Sequence, residues 1–313
     1  MDIGDDLNVS RSSSRDEMNV NPLKRKWIEV DYGDLLEVKV GDPSAPRIFK
    51  AHRDVIYKKS KFLAAAATES WMEGQQTMIR LTEVDGKISA TYVHCIYVKR
   101  IFRLIRRINP LKRKCVEQDY TDILEVRVDT PSAPKIFWVH RDAICKTSKF
   151  FNAATSERWA TADDKSIKLP GEDANVFAKY LHWVYHDEIS IEATYLDPTD
   201  LVKFYSLADS LDDVAARNRT TDILLDAWLS KVPKQECTWE VFEMTPPTSK
   251  LRLLVVHFYL ANVSTRWLEQ EADNYPPSFF RQLAMEAMRH MRQNVKITTN
   301  EIRHGRKKYQ EEC

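Results

Sequence analysis

The chain has 313 residues, enough for two or three domains, and its 43% hydrophobic and 30% charged side chains are the balance of a folded protein with a core of ordinary size. Its 47 basic and 46 acidic residues nearly cancel, leaving +1. The chain as a whole therefore makes no electrostatic case for nucleic acid, and such a case must come from a local cluster.

Residues 1–20 are acidic and Ser-rich without an apolar stretch, which predicts a disordered tail and excludes a signal peptide. No run of about 18 apolar residues occurs anywhere, so no membrane-spanning helix is expected. From Asn21 the chain says the same thing twice. Asn21–Arg100 and Asn109–Glu188 align without a gap, Asn21 and Asn109 standing 88 positions apart. Both copies open on NPLKRK and continue through Leu-Glu-Val (36–38, 124–126), Pro-Ser-Ala-Pro (43–46, 131–134), His-Arg-Asp (52–54, 140–142), Ser-Lys-Phe (60–62, 148–150) and Trp71/Trp159. Units this long and this mixed in pattern are copies of a domain core rather than solenoid repeats.

The second copy gives the cleaner pattern. Ile123–Val128 alternates apolar and charged, Pro131–Pro134 is turn chemistry, and Lys135–His140 returns, so 122–140 reads as a hairpin. A helix is expected over 142–155 behind Asp142, and a second short one over Glu157–Ala162 carrying Trp159. Ser166–Leu169 reads as a strand closed by Pro170-Gly171. From Asp173 the apolar positions 176, 177, 180, 181, 184 and 185 form one wide helical face. Beyond the repeat, helices are predicted from Pro198 to about Leu211, from Asp213 to Val232, from Leu251 to Val263 and from Ser278 to Asn294, with a basic, polar end. A hairpin, a helix pair and a strand followed by helices only is an α+β order, a small mixed sheet packed by helices and then an all-helical C-terminal region.

Between the copies lies the one strong local charge feature. Eight of the sixteen residues from 99 to 114 are basic: Lys99, Arg100, Arg103, Arg106, Arg107, Lys112, Arg113 and Lys114. Ile101, Leu104, Ile105 and Ile108 fall at i, i+3, i+4 and i+7, a basic amphipathic helix ending before Pro110. It could serve nuclear import, an acidic partner or a membrane surface, or simply pack its apolar stripe on the second copy with its charges in water.

At this point the residues resemble a family. Asp122–Val128, Ile136–Ile144, Ser148–Phe151, Trp159, Ile167–Pro170 and Val176–Tyr185 together are similar to a BTB/POZ domain, especially the kind abundant in fungal proteins, and Leu201–Leu211 is similar to the helix that follows in that family. The first copy carries Asp34, Phe49, His52, Arg53, Ser60 and Phe62 at matching positions. It departs where Phe151 becomes Leu63, Pro170 becomes Thr82 and Phe177 becomes Ser89, and it restarts at Asn109 before any closing helices. The expected division is a tail (1–20), a partial BTB-like core ending in the basic helix (21–108), a complete BTB-like domain (109–232) and a helical C-terminal region with a polar tail (233–313). The resemblance implies a non-catalytic protein-interaction module that self-associates, pairs with another BTB protein or recruits partners, cullin ubiquitin-ligase scaffolds among them. It also implies that Asp34/Arg53 and Asp122/Arg141 lie at a charged partner groove. The plainer reading of these pairs is an ion pair fixing the strand-to-helix junction.

Nothing in the motifs favours an enzyme. Glycine is scarce, with seven in all, and no phosphate-binding loop or nucleophile elbow occurs. His52 and His140 repeat without companion ligands and read as structural histidines. His182 and His186 have metal-capable spacing, but no third ligand lies within reach by sequence, so neither a metal nor a cofactor is expected. The five cysteines, Cys95, Cys115, Cys145, Cys237 and Cys313, show no framework spacing and read as reduced thiols of a cytoplasmic or nuclear protein. Two alternatives stand beside the interaction module: a nuclear regulator using segment 99–114 for import or nucleic-acid contact, and a substrate adaptor of a cullin-type ligase.

Overall fold

The computed structural model describes residues 30–40, 42, 44–60, 78–81, 122–129, 134–156, 166–189 and 198–312. The expected tail, the basic segment 99–114 and the short helix carrying Trp159 lie outside the described residues.

Strands β1 (Leu35–Val40), β2 (Arg47–His52) and β3 (Met78–Leu81) form one three-stranded sheet in the order β2-β1-β3, and helix α1 (Arg53–Lys59) follows β2 directly. Strands β4 (Ile123–Asp129), β5 (Pro134–His140) and β6 (Ser166–Leu169) form a second sheet in the order β5-β4-β6. The two share one pairing scheme, an antiparallel hairpin with a parallel third strand. Leu35 pairs with His52 as Ile123 pairs with His140, and Glu37 pairs with Met78 as Glu125 pairs with Ser166. Period-two alternation sets the buried face: Leu36, Val38 and Val40 point inward from β1, and Val126 and Val128 from β4.

After β5 come α2 (Arg141–Thr147) and α3 (Lys149–Ala154), where a single helix over 142–155 was expected. Ser148 makes the break. Its extended backbone ends α2, its hydroxyl accepts from the Phe151 N–H at 3.1 Å to cap α3, and the same hydroxyl donates to the Leu211 carbonyl at 2.6 Å. Helix α4 (Ala174–His186) follows β6. Asp173 caps it by accepting from the Asn175 and Val176 N–H groups, and Asp187 closes it at φ 53°.

Helices α5 (Pro198–Ser210), α6 (Val214–Trp228) and α8 (Lys250–Asn262) stand where the periodicity placed them. Two intervening helices, α7 (Gln235–Met244) and α9 (Thr265–Glu271), are short and were not anticipated. Helix α10 (Pro277–Gln293) matches the last predicted helix. Beyond it the expected polar end folds back, as α11 (Thr299–His304) and a 3-10 turn at Arg306–Tyr309. Thr298 and Glu301 form a reciprocal capping box there, and Ile302 and Tyr309 are buried pegs. Glu311 and Asn218 exchange two hydrogen bonds, Glu311 N–H to Oδ1 at 2.7 Å and Asn218 Nδ2–H to the Glu311 carbonyl at 3.0 Å.

The described residues pack into two apolar cores. One holds both sheets with α1–α4 and one face of α5 (Phe204, Leu207, Ala208). The other holds the opposite face of α5 (Leu201, Val202, Tyr205) with α6–α8, α10 and α11. Helix α5 therefore joins the two cores, and residues on either side of position 232 share the second.

Candidate functional site

The two repeats meet at the C-terminal end of one edge strand of each sheet. An exposed strand edge offers unpaired N–H and C=O groups to any passing strand, so proteins cover or pair such edges. Here β2 and β5 are each an edge strand of their sheet, and the seam between the repeats joins their C-terminal ends. His52, at the end of β2, brings Nε2 to 2.5 Å from the Trp138 carbonyl. His140, at the end of β5, brings Nε2 to 2.7 Å from the Lys50 carbonyl. Residues 52 and 50 correspond to 140 and 138 under the 88-residue offset, so the two repeats exchange the same bond in both directions, the signature of a two-fold relation. A carbonyl can only accept, so both imidazoles carry their proton on Nε2. His140 Nδ1 is then an acceptor and takes the Tyr185 hydroxyl proton at 2.9 Å, while the Tyr185 oxygen accepts from the His140 backbone N–H at 3.1 Å.

Around the two histidines the seam is aromatic. The His52 and His140 rings meet edge to face at 5.3 Å. Tyr32 of the first repeat stacks on Tyr185 of the second at 5.5 Å and 19°. Its carbonyl accepts from the Trp138 N–H at 3.0 Å, and its side chain is 1% exposed. The Tyr32 hydroxyl is buried and has no hydrogen-bond partner among the described residues. Gly33 allows this close approach, since an added Cβ would lie 3.1 Å from Asp31 Oδ1 and 3.3 Å from the Ile136 carbonyl oxygen. His52 is fully buried, and burial pushes its pKa down to about 4, so the ring is neutral at physiological pH. A further cross-repeat contact is the Lys59 ammonium, 2.9 Å from His186 Nε2. A cation thus already sits on the histidine whose spacing to His182 looked metal-capable, and the His182 and His186 rings pack at 4.3 Å.

The Asp34/Arg53 and Asp122/Arg141 residues do come together as pairs. Arg53 Nε lies 2.5 Å from Asp34 Oδ2, and Arg141 Nη1 lies 3.2 Å from Asp122 Oδ2. In each case the Arg backbone N–H also donates to the Asp carbonyl at 3.0 Å, so the pair ties the entry of the first strand to the start of the first helix. Both aspartates are about half exposed, at 51% and 50%, which places the pairs at the surface. The eight basic residues of segment 99–114 lie outside the described residues.

A polar node joins the second repeat to the helices behind it. Asp213 is fully buried and accepts from the Ala216 N–H at 2.9 Å, capping α6, and from Tyr180 Oη and Trp183 Nε1, both at 3.1 Å. Burial raises its pKa, and these donors oppose the rise.

A hairpin with a parallel third strand, paired short helices and α4 through α6 behind them occupy the stretch that resembles a known family. Residues 116–226 match the BTB/POZ domain. The BTB/POZ match takes in β4 through β6, α2 through α5 and nearly all of α6. A BTB/POZ domain is a protein-interaction module, generally non-catalytic, so protein partners are indicated for this chain. No curated protein matches the chain. Among the described residues no helix is long and apolar enough to cross a membrane.

Proposed function

We propose that the chain is a protein-interaction scaffold whose first repeat, 21–108, is a truncated BTB-like core acting as a built-in partner for the complete BTB-like domain of 109–232. The observation that carries this reading is the reciprocal exchange of His52 to the Trp138 carbonyl and His140 to the Lys50 carbonyl. Two copies related by a two-fold axis use the same patch on both sides, and a residue that donates in one copy donates in the other. The pairing normally found between two chains is on this reading made within one. The seam covers the C-terminal end of the β5 edge and the Tyr185 ring, which are then withheld from a second copy, while partner recruitment falls to the other surfaces of the domain, including the half-exposed Asp122/Arg141 pair.

Mixing tagged and untagged full-length chains tests this. Wild-type copies are expected not to co-purify. The double variant Tyr32→Asp/His52→Asp places two charges in the seam and frees the second repeat to capture another copy. Equal co-purification of wild type and variant would overturn the proposal. Retention of a purified cullin scaffold by the wild-type chain tests the narrower adaptor role.

A further inference from the structure

The C-terminal helices bring together three side chains from distant parts of the sequence: His257 in the middle of α8, and Glu286 and His290 one turn apart on α10. One ligand atom from each lies within 4.8 Å of the others. Glu286 Oε2 stands 3.8 Å from His257 Nε2 and 3.9 Å from His290 Nε2. These separations are too long for hydrogen bonds, so the atoms converge on a common point without bonding one another.

Their surroundings prepare them for an ion. His257 is 1% exposed, and its Nε2 is buried with no hydrogen-bond partner. Its Nδ1 lies 2.8 Å from the Tyr309 hydroxyl. Donation from Nδ1–H to that oxygen leaves the Nε2 lone pair bare and aimed at Glu286, the orientation by which protein oxygens hold metal-binding histidines. Arg289 pairs with Glu286 Oε1, leaving Oε2 to face the histidines as a single donor. Side-chain exposure rises from 1% at His257 through 9% at Glu286 to 15% at His290, so the cluster opens on one side toward solvent.

From this geometry we propose that His257, Glu286 and His290 form a binding site for a divalent transition-metal ion, Zn²⁺ foremost, which clamps α10 onto α8. Two imidazoles and one carboxylate suit zinc, with ligand bonds of about 2.0–2.2 Å and a fourth position left to water. A tetrahedron of that size has edges of about 3.3 Å, so the two Glu286–histidine pairs, at 3.8 and 3.9 Å, must close by only about half an ångström, and the two histidine nitrogens lie within 4.8 Å of each other. The site is independent of the interaction between the repeats and lies in the other apolar core.

The test uses the full-length chain, stripped with a chelator and titrated with ZnCl₂. The expected result is saturable uptake of one Zn²⁺ per chain, a rise in melting temperature, and perturbation of the His257 and His290 imidazole NMR signals among the eight histidines. Glu286→Gln and His290→Gln should weaken binding by about 100-fold or more, since loss of a hydrogen-bond partner behind a ligand alone costs about 10–100-fold. Tyr309→Phe, which loses only the bond that orients His257, should weaken it by about 10-fold. Metal-free melting close to that of the parent shows that each variant is folded, and the NMR titration of the wild type decides the matter if one is not. No saturable uptake, uptake that leaves those two imidazole signals unmoved, or unchanged affinity in folded variants would overturn the proposal.

Discussion

Acidification should loosen the seam between the repeats through His52. The ring is fully buried, its Nε2 donates to the Trp138 carbonyl, and its neighbours are the rings of Tyr32, His140 and Tyr185 at 5.1, 5.3 and 5.6 Å. Burial lowers its pKa from 6.5 to about 4 in the folded chain. The unfolded chain therefore binds a proton between those values while the folded chain does not, and stability must fall as pH falls through that window. Two and a half pKa units correspond to about 3 kcal/mol in full, of which about 2 kcal/mol is lost between pH 7.5 and pH 5. Urea unfolding of the wild type and of His52→Gln at both pH values isolates this part, because His257 and the other titrating groups act equally in both proteins. The variant should be less stable at pH 7.5 and should show a pH dependence shallower by about 2 kcal/mol. Parallel pH dependences, or a His52 NMR titration midpoint near 6.5, would refute the buried seam.

Other substitutions separate the parts of the account. Tyr32→Phe should leave stability unchanged or slightly raised, since its hydroxyl is buried without a partner among the described residues, whereas Tyr185→Phe should cost about 1–3 kcal/mol by removing the hydroxyl that bonds the His140 ring and backbone N–H. Thermal melts of the two single variants measure the contrast. Asp213→Ala removes the α6 cap and takes the acceptor away from Trp183 Nε1 and one partner from Tyr180 Oη in the core, an expected loss of about 3 kcal/mol by denaturant unfolding. Arg53→Ala and Arg141→Ala break half-exposed ion pairs and should each change stability by less than about 1 kcal/mol. Loss of partner capture by either variant without loss of stability would assign these pairs to the partner groove.

The hairpin, the strand Ser166–Leu169 and the helix beginning after Asp173 were legible because each is a local pattern: period-two alternation, a Pro-Gly stop, a capping carboxylate before a wide apolar face. Ser148 was read as part of a continuous helix because its role depends on the Leu211 carbonyl, 63 residues away. Helices α7 and α9 are short, and the apolar side chains of α7 are bracketed by Pro233 and Pro246, so the punctuation hid the period. The Thr298/Glu301 capping box is a readable helix signal within the polar C-terminal stretch. The repeat exposes His52 and His140 as a matched pair, and in the structure both rings are buried and hydrogen-bonded. Their bonds to carbonyls 86 and 90 residues away, on the opposite copy, have no local trace. The same holds for His257, which sits in an apolar helix with no spacing motif to Glu286 or His290 and is joined to them only by helix packing.

The claim that the first repeat docks on the second within one chain is tested most directly by the nuclear Overhauser contact between the His52 and His140 imidazole protons, recorded on histidine-labelled full-length protein diluted with unlabelled chain. The two ring centroids lie 5.3 Å apart, so the contact should be present, and its intensity per labelled chain should not change on dilution. An absent contact, or one that weakens in proportion to the unlabelled fraction, would show that the repeats do not pair within the chain.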